Sequence, residues 1–230
     1  MSGVTRQSYT PEIQIIRLMC TGRVDLAFIL RAFIDGADGV LIGGCWPGEC
    51  HYVTEGNYDA LSNVHLSRKM LSHIGVNPER LRIEWISAAE GNRFAEVAND
   101  FGRQLKEIGP LGKGEGLDVD VLKLKLEAVN KIIPYIKLVE REKLRVPVKS
   151  EEAYNKFYTS DEFDLLFNNL IADKLAISQI MALLRQRPLS TGELSEILSI
   201  DPSEVSRHLD VSARQGLVRF DKSSKIIVAA

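Results

Sequence analysis

The sequence predicts an α/β protein: a parallel sheet with crossover helices, then a helical segment, then a helix-turn-helix closed by a small hairpin. Three observations predict it. Over the first 109 residues, apolar runs of strand length alternate with stripes of helical spacing, and parallel neighbours need such crossover connections. A glycine-rich stretch, Gly109 to Gly116, separates this half from one that is almost wholly helical in pattern. Near the end, two helix-start signals follow one another within a dozen residues.

The elements follow in order. Ile13 to Met19 is a β-branched run ending at Cys20 and reads as a buried strand. Thr21-Gly22-Arg23 turns the chain, and Val24 to Phe33 places Leu26, Ile29, Leu30 and Phe33 at helical spacing before Gly36. Gly39 to Ile42 repeats the strand and ends in Gly43-Gly44-Cys45, so Cys20 and Cys45 both fall at the strand ends where open α/β sheets carry ligands. Tyr58 to Ile74 reads as a helix, Leu81 to Ile86 as a strand and Glu90 to Ile108 as a helix with Phe94, Val97, Phe101, Leu105 and Ile108 on one stripe. The first domain is expected over 1–109, a linker and helical segment over 110–170, and a third domain over 171–230.

In the middle segment, Val119 to Leu144 carries an apolar stripe among Lys and Glu, and Pro134 is expected to kink or split it. The stretch 150–168 is polar and aromatic, with Tyr154, Phe157, Tyr158, Phe163 and Phe167. Ala172 to Arg185 is a helix. Ser190-Thr191-Gly192-Glu193 is a capping box, and Asp201-Pro202-Ser203-Glu204 supplies an N-cap, a first-turn proline and an acidic third position. After Gly216 the runs Leu217 to Phe220 and Ile226 to Val228 form a hairpin about 221–224. The sum resembles a winged helix of the kind found in small transcription regulators.

Composition excludes several classes. The chain has 230 residues, 45% hydrophobic and 26% charged, enough for one or two cores. A net charge of -2 with a pI near 6.1 provides no global basic field, so any nucleic-acid binding is local. No apolar stretch approaches the roughly 20 residues of a membrane span, and the N-terminus lacks the pattern of a signal peptide. A cytoplasmic protein is expected. Three cysteines, an odd and small number, agree with a reducing compartment.

All three thiols fall within the first 50 residues, two of them in Gly43-Gly44-Cys45-Trp46-Pro47-Gly48-Glu49-Cys50-His51-Tyr52. A thiolate is a soft anionic ligand, and iron–sulfur clusters are ordinarily held by four, often with two on one short loop. The Cys45 to Cys50 spacing suits such a loop, and glycine amides there can hydrogen-bond inorganic sulfide. Cys20, expected at the matching edge of the next strand, adds a third donor. His51 would complete a zinc set with the three thiols, although its adjacency to Cys50 makes joint tetrahedral ligation awkward. Trp46 and Tyr52 either shield a cofactor or cap the turn, and Asp25 either orients the loop or answers the dipole of its helix.

Four strings in order, Arg17 to Asp25, Gly39 to Tyr52, Gly56-Asn57-Tyr58 and Arg82 to Gly91, closely resemble the delta iron–sulfur subunit of methyl-viologen-reducing hydrogenase. The resemblance covers residues 1 to about 109. It implies a flavodoxin-like fold and a 2Fe-2S cluster on Cys20, Cys45 and Cys50. It further implies electron transfer between a hydrogenase, formate dehydrogenase or similar module and the flavin-containing subunit of a heterodisulfide reductase. Family members usually carry a further strand and a cysteine-rich turn ahead of the segment matched by Ser2 to Tyr9. Its absence leaves three readings: a start assigned too late, as at a selenocysteine codon read as a stop; ligands from another polypeptide; or a lost cluster.

Of the remaining polar residues, His65 and His73 are expected in solvent, and the Lys and Glu run from Lys123 to Lys143 is expected to be an exposed face. The second helix of the winged helix offers Ser203, Ser206, Arg207, His208 and Arg214, and the wing Lys222 and Lys225, for phosphate or base contacts. That set is sparse and diluted by Asp201, Glu204 and Asp210, so protein docking is the favoured reading and a redox-responsive DNA-binding regulator the alternative.

Overall fold

The computed structural model describes residues 8–221 and 226–229. It divides into two units, one of Met1–Leu117 with Val146–Phe163 and one of Asp118–Arg145 with Asp164–Ala230. The helical segment of the sequence is thus shared between them. No helix among the described residues is long and apolar enough to cross a membrane.

In the first unit, a short 3-10 turn, Thr21–Arg23, leads into α1 (Leu26–Ile34). Asp25 caps this helix by accepting from the amide of Ala27, a sufficient reason for an acid at that position. Strand β1 (Val40–Gly44) is followed by α2 (Gly56–His73), β2 (Leu81–Trp85) and α3 (Gly91–Ile108). β1 and β2 pair in parallel, from Val40 opposite Leu81 to Gly44 opposite Trp85, with α2 as the crossover. Leu26, Leu30 and Phe33 of α1 and Ala60, Val64 and Met70 of α2 are buried with Leu81, where the hydrophobic driving force concentrates.

Two expectations fail here. The run Ile13 to Met19 is neither a strand nor buried: Ile16 is 79% and Met19 93% exposed. A β-branched pattern makes a strand only against a neighbour, and the parallel sheet of the first unit contains, among the described residues, β1 and β2 alone. Cys20 therefore sits at the N-cap of the 3-10 turn rather than at a strand end. The glycine-rich stretch 109–116, expected as a linker, is folded around a buried cation. Arg80, 0% exposed, donates to Glu115 from Nε at 2.6 Å and to the carbonyls of Asp38 and Pro110 at 2.9 and 3.3 Å. Every nitrogen of the guanidinium thus has a partner, which a buried charge requires.

The aromatic stretch supplies α6 (Glu151–Tyr158), capped by Ser150. It lies on α2 and β2: Trp85 Nε1 donates to Glu151 at 2.9 Å, and the Tyr158 and Ser62 hydroxyls share a 2.6 Å hydrogen bond. His65 is not in solvent. Its ring stacks on Tyr158 at 5.1 Å with 3° between planes, and burial, helped by the charge of Arg68, pushes its pKa down to about 4.

The second unit begins with α4 (Val119–Lys131) and α5 (Ile133–Lys143), split where Pro134 enters the first turn of α5. α7 (Asp161–Phe167) continues through a π turn into α8 (Asp173–Leu184). α9 (Thr191–Leu198) carries the full capping box of Ser190 and Glu193, and α10 (Pro202–Arg214) is capped by Asp201. β3 (Val218–Asp221) and β4 (Ile226–Ala229) pair in antiparallel fashion, giving a winged helix around Leu189, Leu194, Leu198, Val205, Leu209 and Ile227. The Lys and Glu run of α4 is not wholly a surface face. Lys125 is 3% exposed, its pKa lowered by burial, and its ammonium donates to the last carbonyl of α9, Leu198 O, at 3.1 Å.

Candidate metal centre

The cysteines lie around the beginning of α2 and the end of β1. Gly56, the first residue of α2, has no room for a side chain: a Cβ there would overlap Cys50 Sγ and lie 3.5 Å from Cys20 Sγ. The two sulfurs therefore share one side of this glycine. Thr21, next to Cys20, packs against Gly44, next to Cys45, so closely that a Cβ on Gly44 would come 2.9 Å from the Thr21 methyl and 2.9 Å from the Trp85 ring. Asn57, 2% exposed, donates from its side chain to the Cys45 carbonyl at 2.5 Å. Gly48, at φ +88°, lets the loop turn back between Cys45 and Cys50.

All three cysteines are free thiols, and Cys50 is buried. The Cys45 thiol is pushed up, first by burial and then by its neighbour Cys50, with a smaller effect of Cys20. The Cys45 sulfur thus lies within electrostatic reach of both neighbours, and a metal bound there must displace its proton. Thr21 Oγ1 is buried with no hydrogen-bond partner, an unsatisfied hydroxyl beside Cys20. Among the described residues no three His, Cys, Asp or Glu side chains already close on one point at metal-binding distances. Soft donors, a side-chain-free cradle and an orphaned hydroxyl fit an iron–sulfur group in chemistry, and the thiols number three where four is usual.

His51 is exposed and turned edge-on to the Tyr52 ring, and Tyr52 is 55% exposed. Trp46 is half-buried, and its indole donates to Glu90 at 2.8 Å. Residue pattern alone assigns no role to Gly56, Asn57, Thr21 or Glu90. The string Gly-Asn at a helix start after a cysteine loop is the one signal open to such a reading.

On the winged helix, Arg207 is held in a bidentate pair by Asp173 of α8, with both bonds at 3.0 Å. His208 is 3% exposed, with its pKa lowered by burial, so it offers no contact to a duplex. Ser203 bonds Asp201, and Ser206 bonds the Pro202 carbonyl. Arg214 is exposed; Lys222 and Lys225 lie outside the described residues.

Residues 1–109 match the family model of the methyl-viologen-reducing hydrogenase delta subunit. Over 110 residues the chain is 48% identical to the iron-sulfur subunit of the F420-non-reducing hydrogenase of Archaeoglobus profundus, covering 48% of this chain and 80% of that protein. The chain belongs to the methyl-viologen-reducing hydrogenase delta subunit family. Another member, the iron-sulfur subunit of the vhc F420-non-reducing hydrogenase of Methanococcus voltae, is 50% identical over 109 residues, 47% of this chain and 75% of its own. The match also extends to one subunit of the ferredoxin/F420H2-dependent CoB-CoM heterodisulfide reductase of Methanosarcina acetivorans. There the identity is 46% over 112 residues, 49% of this chain but only 14% of that much longer protein. Residues 178–219 match the arsR family of bacterial regulatory proteins, in agreement with the winged helix.

Proposed function

We propose that the chain is an accessory iron–sulfur electron-transfer subunit of a cytoplasmic redox complex. In this reading it links a hydrogenase, formate dehydrogenase or similar module to a flavin subunit like that of heterodisulfide reductase. The observation that supports it most is the meeting of the Cys20 and Cys50 sulfurs at the bare face of Gly56, with the Cys45 thiol pushed up by burial and, in smaller part, by both of them. Cys20, Cys45 and Cys50 would hold a 2Fe-2S cluster, with the remaining ligand supplied from outside the three. When bound, the cluster supplies one-electron chemistry. The protein residues fix the thiols, keep a Cβ out of their space and bury Cys50 from water.

The names of the relatives, iron-sulfur subunits of hydrogenases and one component of a heterodisulfide reductase, support the redox role. The test is anaerobic co-expression with a flavin-bearing heterodisulfide reductase subunit. Co-purification and flavin reduction through the chain, with the reduction lost on Cys45→Ser, are expected; flavin reduction that survives loss of all three cysteines contradicts the reading.

The second reading, a redox-responsive DNA-binding regulator, is favoured by the arsR family match. Against it stand the engagement of Arg207 by Asp173 and the burial of His208, which leave α10 few groups for phosphates. Docking within the complex is the role we assign to the winged helix.

A further inference from the structure

The start of α3 carries a carboxylate that its own helix does not use. Glu90 occupies the N-cap of α3, yet its side chain caps no amide of that helix. One oxygen, Oε2, instead accepts from the Ser87 amide at 2.7 Å and from the Trp46 indole at 2.8 Å. Arg93, one turn on, lies with its guanidinium 5.0 Å above the Trp46 ring. Arg93 is itself fixed, donating from Nε to the Trp85 carbonyl at 2.9 Å and from Nη2 to Glu84 at 3.3 Å. The indole is therefore held at its edge by an anion and over its face by a cation, both anchored to the end of β2 and the turn after it.

Trp46 directly follows Cys45, and the carbonyl between them accepts from Asn57. We propose that Glu90 and Arg93 are positioning residues for the cysteine loop, which hold Trp46 and so set the direction in which Cys45 presents its sulfur. A capping residue would bond its own helix; this one reaches 44 positions back along the chain. The inference rests on the cluster reading for its purpose, while the positioning itself belongs to the cluster-free protein.

The test separates the two. In the cluster-free full chain, the rates at which iodoacetamide alkylates Cys45 and Cys20 are compared by mass spectrometry. Glu90→Ala is expected to raise the Cys45 to Cys20 ratio about fivefold, the worth of one lost hydrogen bond. Trp46→Phe, which removes the donor, should repeat the pattern, and Glu90→Gln, which keeps an oxygen for the indole, should stay near the wild-type ratio. An unchanged ratio, a uniform rise at every cysteine, or a Gln variant that behaves like Ala overturns the proposal. After anaerobic reconstitution, Glu90→Ala should release iron to a chelator faster than wild type and Glu90→Gln should not. A wild-type chain that takes up no iron defeats the cluster reading and leaves the alkylation result to decide the positioning role.

Discussion

The cysteine rim of the first unit and the exposed face of α10 in the second are both surfaces that sequence nominates for binding, and they differ in what their polar groups are already doing. At the rim, three thiols are free, Thr21 Oγ1 is buried without a partner, and a glycine keeps open the space against two sulfurs. On α10, Arg207 is bound twice by Asp173, Ser203 and Ser206 bond within their own turn, and His208 is interior. An unsatisfied buried hydroxyl is costly and a ligand is one way to offset the cost; Ser67 Oγ and Asn130 Oδ1 are buried without a partner as well, so Thr21 counts only together with the sulfurs beside it. Groups satisfied internally must break a bond before they make another. The comparison leaves more uncommitted polar groups at the rim than on the helix.

The largest effect falls on the buried ion pair of the first unit, at the end of β1 and β2 opposite the rim. Arg80→Met strands Glu115, at 8% side-chain exposure, and should cost about 3–5 kcal/mol in urea unfolding of the first unit, because a buried charge loses its partner. A cost no larger than that of an ordinary surface substitution breaks the account of the 109–116 loop. Gly56→Ala comes next. The added methyl meets Cys50 Sγ, and overpacking costs roughly 1–3 kcal/mol. Iron retention after anaerobic reconstitution should fall with it, and a variant that retains iron as well as wild type would move the site elsewhere.

His65 sharpens the comparison through pH. Its folded pKa of about 4 lies below the ordinary 6.5, so between these values the unfolded chain binds the extra proton. The stability it contributes is present above pH 6.5 and is lost as pH falls toward 4. The loss is on the order of 1–2 kcal/mol after allowance for partial exposure. His65→Phe should flatten that part of the profile in thermal melts at a series of pH values. The smallest effect is on α10: Asp173→Asn should cost no more than about 1 kcal/mol, since the pair is exposed. It should also leave DNA affinity weak in electrophoretic mobility assays. A variant that gains tight duplex binding would transfer the claim from the rim to the helix.

Local signals explain which parts are legible in the sequence. The capping box at Ser190 and Glu193, the proline after Asp201 and the break at Pro134 act through neighbours in sequence, and each stands where its pattern predicts. Ile13 to Met19 misleads because strand formation depends on a neighbour that residue pattern does not specify. Lys125, within a run expected to be exposed, misleads for a related reason, and Arg80 gives no sign of its burial: their partners, the Leu198 carbonyl and Glu115, lie 73 and 35 positions away, so neither burial is visible locally. The three cysteines are visible as residue types, but the approach of the Cys20 and Cys50 sulfurs at Gly56 and the hold of Asn57 on the Cys45 carbonyl are products of chain crossing.

Iron and acid-labile sulfide per chain, measured after anaerobic purification and reconstitution in the presence of a thiol, test the central claim most directly. The account predicts equal amounts of the two, about two of each per chain as a 2Fe-2S centre requires, with visible absorption that disappears when Cys20, Cys45 and Cys50 are all changed to Ser. A colourless protein free of iron and sulfide after reconstitution, or one whose iron content is indifferent to the triple substitution, would contradict it.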